Sequence, residues 1–181
     1  MRSTPATQPQ YRTVTEMLAA AATSGKSLTF VNHREEDLEV PMARVRERAL
    51  SIAADLIDRG VRKGDRVAIV LPTSPDFVHC FFGIVCAGAI PIPLYPPVRL
   101  GRLDEYHLRT AAMLRAVDAA LVVTDERIRR FLGAAVELSA PPLGCSTVSS
   151  LGGTATAEVE TAAADLALIQ FSSGTTNDPK P

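Results

Sequence analysis

Five consecutive apolar residues, Val67-Ala68-Ile69-Val70-Leu71, set the strongest limit on what this chain can fold into. A strand with one wet face alternates apolar and polar residues, so an unbroken apolar run of this length describes a strand covered on both faces, as in a parallel sheet wrapped by helices. Gly64-Asp65 makes a turn before it, and Pro72-Thr73 breaks it. The flanking segments carry the helices such a sheet needs. Pro41 can open a helix, and Met42, Val45, Ala49, Ile52, Ala53, Leu56 and Ile57 then share one face, while Arg44, Arg46, Glu47, Arg48 and Asp58 take the other. Gly60 suits the end of that helix. On the far side, Ser74-Pro75-Asp76 supplies an N-cap, a first-turn proline and an acidic first turn. The helix that follows, Phe77 to Ala87, is almost wholly apolar and is expected to be buried. Strands alternating with helices predict an α/β fold with a largely parallel sheet and flanking helices.

The remaining segments add elements to this frame. Residues 1–12 are polar, contain two prolines, and are expected to be a flexible tail. Thr13 and Glu16 form a capping-box pattern for a helix running to Gly25. Leu28–Val31 and Leu38–Val40 read as strands joined by an acidic turn at Glu35-Glu36-Asp37. Ala89 to Leu94 carries prolines at 91 and 93, which forbid a central strand and allow one at an edge or bulge. Leu103 to Val117 is an amphipathic helix, Ala120 to Thr124 a strand, and Ile128 to Leu132 a short helix ended by Gly133. Residues 139–164, rich in Ser, Thr, Ala, Gly and Pro, are expected to be an irregular or mobile loop. Leu166 to Phe171 then reads as one more buried strand.

Charge and composition exclude several classes. The net charge of −1 gives no electrostatic case for nucleic acid or an anionic membrane. Arg127, Arg129 and Arg130 read as a solvated helix face. The three cysteines, Cys80, Cys86 and Cys145, lack metal spacing, and Cys80 and Cys86 fall inside an apolar helix as small core residues. His33, His79 and His107 form no ligand pattern, so no metal site is assigned. No apolar signal core begins the chain and no run reaches about 18 apolar residues, so no membrane span is expected and the expected location is cytoplasmic.

The chemistry-bearing stretch is Phe171-Ser172-Ser173-Gly174-Thr175-Thr176-Asn177-Asp178-Pro179-Lys180. Small hydroxylic residues around a glycine suit a loop wrapped around phosphate: the backbone approaches closely, successive N–H groups form an anion-binding concavity, and hydroxyls donate to phosphate oxygens. Lys180 adds a charge-assisted contact. The spacing is not that of a Walker loop. On composition alone, a polar turn at a strand end remains open as the other reading.

This run resembles the phosphate-binding loop of the adenylate-forming enzymes: acyl-CoA synthetases, peptide-synthetase adenylation domains and fatty acyl-AMP ligases. Phe171 to Thr176, Pro179 and Lys180 match that loop, while Asn177 and Pro181 stand where glycines are usual. Lys63-Gly64-Asp65-Arg66-Val67-Ala68, Ser74-Pro75-Asp76-Phe77 and Ala87 to Pro97, with its Pro-Leu-Tyr-Pro-Pro, are similar to the N-terminal subdomain of fatty acyl-AMP ligases. The motifs come in the family's order, from about Ser27 to Lys180. The resemblance implies a truncated N-terminal subdomain of the adenylate-forming fold over residues 13–181, with a loop-rich part at 139–164.

Function follows from the same resemblance. A fatty acid and ATP would give acyl-AMP and pyrophosphate, and the acyl group would pass to an acyl carrier protein or CoA. Ser172, Ser173, Gly174, Thr175, Thr176 and Lys180 would hold the ATP phosphates, and ATP with Mg2+ would serve the complete enzyme. The family's adenine-binding, magnesium-binding and C-terminal catalytic parts follow this loop. Residues 1–181 are therefore expected to be inactive alone, or completed by a second polypeptide carrying the missing half. The alternative is a non-catalytic remnant or partner-binding module.

Overall fold

The computed structural model describes residues 10–31, 36–97 and 103–172. In chain order these form α1 (Val14–Ala22), β1 (Ser27–Val31), β2 (Asp37–Pro41), α2 (Met42–Asp58), β3 (Arg66–Val70), α3 (Pro75–Cys86), β4 (Ile90–Leu94), α4 (Leu103–Ala116), β5 (Ala119–Thr124), α5 (Glu126–Ser139) and β6 (Cys145–Thr147), then a 3-10 turn, Val148–Ser150. β1 and β2 pair antiparallel as a separate hairpin. The main sheet has the order β4-β3-β5-β6, and every pair in it is parallel.

Alternation along β3 and β5 divides the core in two. Val67, Ile69, Leu121 and Val123 meet Ile52 and Leu56 of α2, Cys80 and Ile84 of α3, and Leu18 of α1. Ala68, Val70 and Val122 meet Leu114 of α4 and Ile128, Leu132 and Ala135 of α5. The sheet is thus covered on both faces, as the unbroken apolar run in β3 requires. Each fully buried Val, Ile or Leu contributes roughly 1.5–3 kcal/mol, so the central strands hold a large share of the stability. Arg66, the first residue of β3, donates from Nε to the Val117 carbonyl (2.7 Å) and from Nη2 to that of Asp118 (2.9 Å), which fixes the turn from α4 into β5.

Local chemistry accounts for the helix starts. Thr13 Oγ1 accepts from the Glu16 N–H at 3.1 Å, while Glu16 Oε2 reaches back to the Arg12 N–H at 2.7 Å, one residue earlier than a standard capping box. Ser74 Oγ accepts from the Phe77 N–H (3.2 Å), and Asp125 Oδ1 from that of Ile128 (2.6 Å). The face expected for α2 is the buried one. Cys80 and Cys86 are buried, and burial pushes both thiols up to about 12. Arg127, Arg129 and Arg130 are exposed on α5.

Two expectations are corrected. The helix after β5 does not stop at Gly133 but continues to Ser139. Gly133 lies on the exposed side with open space where a Cβ would sit, and the buried Leu132 and Ala135 carry the helix past it. Residues 139–164 contain a strand, β6, which takes its place from pairing with Val122, Val123 and Thr124. Beyond Ser150 the chain is irregular, yet it is tied down across the helical layer. Arg48 Nη2 donates to the Leu151 carbonyl (2.7 Å), Ser51 and Gly153 exchange two bonds (2.8 and 2.9 Å), and the N–H groups of Ala157 and Val159 donate to the carbonyls of Leu50 (3.1 Å) and Cys86 (2.7 Å). Of the acidic turn expected at residues 35–37, Glu36 and Asp37 are described, and Asp37 already belongs to β2; most of the expected tail lies outside the described residues.

The α2–α3 crossing depends on Gly83. A Cβ there would stand 2.6 Å from Ile52 Cγ2 and 2.8 Å from Ile52 Cβ. Ile52 is fully buried and stiff at χ1, so it cannot swing away. Alanine in place of a helical glycine ordinarily gains about 1 kcal/mol, but here overpacking of about 1–3 kcal/mol opposes it. Gly83→Ala is expected to lower the urea midpoint with an unchanged slope; a raised midpoint would show that the two helices separate freely.

Candidate functional site

The carboxyl ends of parallel strands point their last carbonyls and the following loops into one region, where ligands of open α/β sheets bind. In this chain that region is a cavity of about 460 Å³. Leu71, Pro72 and Thr73 enter it from the end of β3, Phe77 from α3, and Pro93 to Pro96 from the end of β4. Tyr106, Arg109, Thr110 and Met113 close it from α4, and Gln170, Phe171 and Ser172 from the last described segment. Tyr106 donates its hydroxyl to the Tyr95 carbonyl (3.2 Å), joining α4 to the loop after β4. Burial raises the pKa of that hydroxyl, so it stays protonated and a donor.

Among the described residues lining the cavity are hydroxyls and one guanidinium, that of Arg109, and no carboxylate. Such a wall fits an anion better than a bare cation. No group of three or more His, Cys, Asp or Glu is arranged to hold a metal among the described residues, and no helix there is long and apolar enough to cross a membrane.

Of the residues singled out from sequence, Ser172 stands at the rim of this cavity. Ser173, Gly174, Thr175, Thr176 and Lys180 lie outside the described residues. The segment leading to Ser172 departs from expectation. Residues 166–171 form no regular strand. Ile169 and Phe171 pack on the core between the sheet and α4/α5, but Leu166 and Leu168 are 64% and 42% exposed. The Ile169 N–H donates to the Pro91 carbonyl at 3.2 Å, and Ser172 forms an isolated β-bridge. The reason lies in the partner: β4 is the sheet's edge, and its prolines remove the donors a ladder needs.

Sequence reasoning missed Arg109, Thr110 and Met113 as cavity walls. With Tyr106 they recur at three- and four-residue steps on α4, a pattern that marks one helix face without saying what that face meets.

The strap before this segment is anchored by Lys63, whose Nζ donates to the Glu160 carbonyl (2.9 Å) and pairs with Asp165 (2.8 Å).

Comparison with known proteins places this arrangement. The sequence model of the AMP-binding enzyme family matches residues 19–181. A Caulobacter vibrioides protein named as an acyl-CoA synthetase is 29% identical over 171 residues, covering 93% of this chain and 30% of its own length. Pyochelin synthetase PchE of Pseudomonas aeruginosa is 37% identical over 93 residues, 50% of this chain and 6% of its own. A solved structure from work on the fatty acyl-adenylate ligases of E. coli and L. pneumophila superposes with a TM-score of 0.85 at 26% identity, over 94% of this chain and 31% of that one. The chain belongs to the AMP-binding enzyme family, the adenylate-forming ligases. Its α/β sheet is the N-terminal part of that fold, and it spans about a third of the length of the acyl-CoA synthetase and ligase just described.

A pH dependence follows from the strap's anchor. The hydrogen bond from Lys63 and that from the Ala162 N–H hold the Asp165 carboxyl below its ordinary 3.8. Its contribution to stability is present above the unfolded value and is lost as pH falls through the folded one. Carboxyl NMR titration should find Asp165 below 3.8 in the native protein, and Lys63→Met should move it upward; an unchanged midpoint in the variant would show that the backbone bond alone sets it.

Proposed function

We propose that this chain is the front part of a fatty acid adenylating ligase. The reaction is attack of a fatty acid carboxylate oxygen on the α-phosphorus of ATP. A phosphorus–oxygen bond forms to the acyl oxygen, the bond from the α-phosphorus to the bridging oxygen of the β-phosphate breaks, and pyrophosphate departs with that electron pair. The resulting acyl-AMP passes its acyl group to the thiol of a carrier protein or of CoA. Such transfers rely on positioning and charge neutralisation more than on covalent help from the protein.

In this reading Ser172, Ser173, Gly174, Thr175 and Thr176 hold the β- and γ-phosphates through hydroxyls and backbone N–H groups, and Lys180 neutralises charge on the departing pyrophosphate. Bound Mg2+ would neutralise phosphate charge as well. The described cavity wall has no carboxylate for that ion, so its protein ligand falls to other residues. In this reading those residues, and the groups for adenine and ribose, belong to the part of such a ligase that this chain does not cover, this chain matching 31% of the superposed ligase, and they lie in the same chain or in a second polypeptide. The reaction's use of ATP and an acyl carrier fits the cytoplasm.

The observation that carries this reading is the position of Ser172. It stands at the rim of an anion-compatible cavity, at the carboxyl ends of β3 and β4, with the hydroxyl-rich run directly after it. The fatty acid, rather than an amino acid, is favoured by the superposition on a fatty acyl-adenylate ligase at a TM-score of 0.85.

A chimera tests it. Residues 1–181 replace the matching third of that ligase, and fatty acid-dependent ATP–pyrophosphate exchange is measured. The chimera should exchange, residues 1–181 alone should not, and the pair Ser173→Ala and Thr176→Ala should lower the chimera's turnover on the order of 100-fold. A folded chimera whose exchange is indifferent to both substitutions would overturn the assignment of the loop.

A further inference from the structure

The segment that delivers Ser172 to the cavity is attached to the sheet by half of a ladder. Its direction is parallel to β4. Leu166 and Ala167 share a cavity wall with Gly88 and Ala89, before β4 begins, while Phe171 and Ser172 share one with Pro93, Leu94 and Tyr95, where it ends. In a parallel ladder, a residue that donates to one partner residue accepts from the residue two places further along that partner. Ile169 donates to the Pro91 carbonyl, so the N–H facing the Ile169 carbonyl belongs to residue 93. Residue 93 is proline and has none. One step back, the N–H facing the Ala167 carbonyl belongs to residue 91, again a proline.

The prolines cost the rest of the sheet nothing. In a strand the N–H and C=O of one residue face the same side. The Pro91 carbonyl faces the 166–172 segment, so Pro91, and Pro93 two residues on, have their missing donors on that side. The residues that turn toward β3 keep their N–H groups, as Ile90 shows by donating to the Asp65 carbonyl at 2.7 Å. β4 is therefore a complete partner to β3 and an acceptor-only partner to the segment ending at Ser172. Among the described residues, Ile169 holds that segment to β4 through its bond to the Pro91 carbonyl and through its packing with Phe171, and Ser172 at the segment's end stands in a single β-bridge rather than a ladder.

We infer that Pro91 and Pro93 are positioning residues for Ser172, acting through Ile169. By withholding two donors they let the segment shift and reopen along β4 without disturbing β3 or β5. The consequence for catalysis rests on the proposed role of Ser172 in holding the leaving pyrophosphate: a site that must grip and then release that group works with a lead-in that can adjust.

Amide hydrogen exchange on the 181-residue protein tests the mechanical half, independently of any role in catalysis. Ile169 should exchange at least 100-fold faster than the amides of β3 and β5. The double variant Pro91→Val and Pro93→Val, which restores both donors on an open edge, should slow Ile169 at least tenfold and leave β3 and β5 unchanged. Wild-type protection of Ile169 equal to that of β3, or no slowing in the variant, would overturn the inference.

The chimera tests the second half. The same double substitution should lower kcat for pyrophosphate exchange at least fivefold, with a smaller change in KM for ATP. Slowed amide exchange with unchanged kcat would overturn the positioning role and leave the prolines as guards against strand addition at the edge. An unsubstituted chimera that folds but does not exchange would count against the proposed function, and the amide measurement would still decide this one.

Discussion

Burial of β3 on both faces is the constraint on which the rest of this structure depends. Val67 and Ile69 look one way, Ala68 and Val70 the other, and both sets are sealed. A strand in that position must have pairing partners on both edges and helices on both faces, or its backbone and side chains would be left without satisfaction. β4 and β5 fill the edges, α2 and α3 one face, and α4 and α5 the other. Because all strands of this sheet run the same way, their carboxyl ends open on one side, and the cavity beneath Ser172 follows from that geometry.

Where a segment's own residues determine its state, the sequence was legible. The α2 face, the Ser74–Pro75 start of α3, Thr13 as the N-cap of α1 and the prolines that keep β4 at the edge are all local chemistry, and each stands as expected. Where the neighbours decide, the reading was incomplete. β6 is Cys-Ser-Thr, too short and too polar to announce itself, and it is a strand because β5 offers it a ladder. Gly133 looks like a stop signal, but its cost of about 1 kcal/mol is small beside the burial of Leu132 and Ala135 on the same helix. In the candidate site, the hydroxyl-rich run was visible at once, whereas the cavity wall on α4 came into view only when topology set α4 beside β4.

The same distinction explains residues 166–172. By composition they are as good a strand as β3, with four apolar residues between Leu166 and Ile169. A strand is a relation between two backbones, however, and here the partner lacks the donors. Two prolines, easily read as a mark of an edge strand, thus also determine the state of a segment more than 70 residues further along the chain. Sequence patterns judge a segment by its side chains, and this one fails on the backbone chemistry of its neighbour.

That separation has a physical logic for the proposed phosphate site. The sheet must be rigid enough to keep the carboxyl ends of β3 and β4 together, and complete two-sided pairing with dense packing does so. A loop that closes on a departing anion must give way as the anion's charge and position change. If both tasks fell to one continuous ladder, loosening the loop would weaken the sheet. An acceptor-only edge uncouples them, because the N–H groups lost are those that would have bonded the segment proposed to adjust, while every donor toward β3 is retained. Proline is the residue that removes a single donor without removing the side chain's bulk or the strand's extended backbone, and alternation along the strand puts both prolines on the same edge.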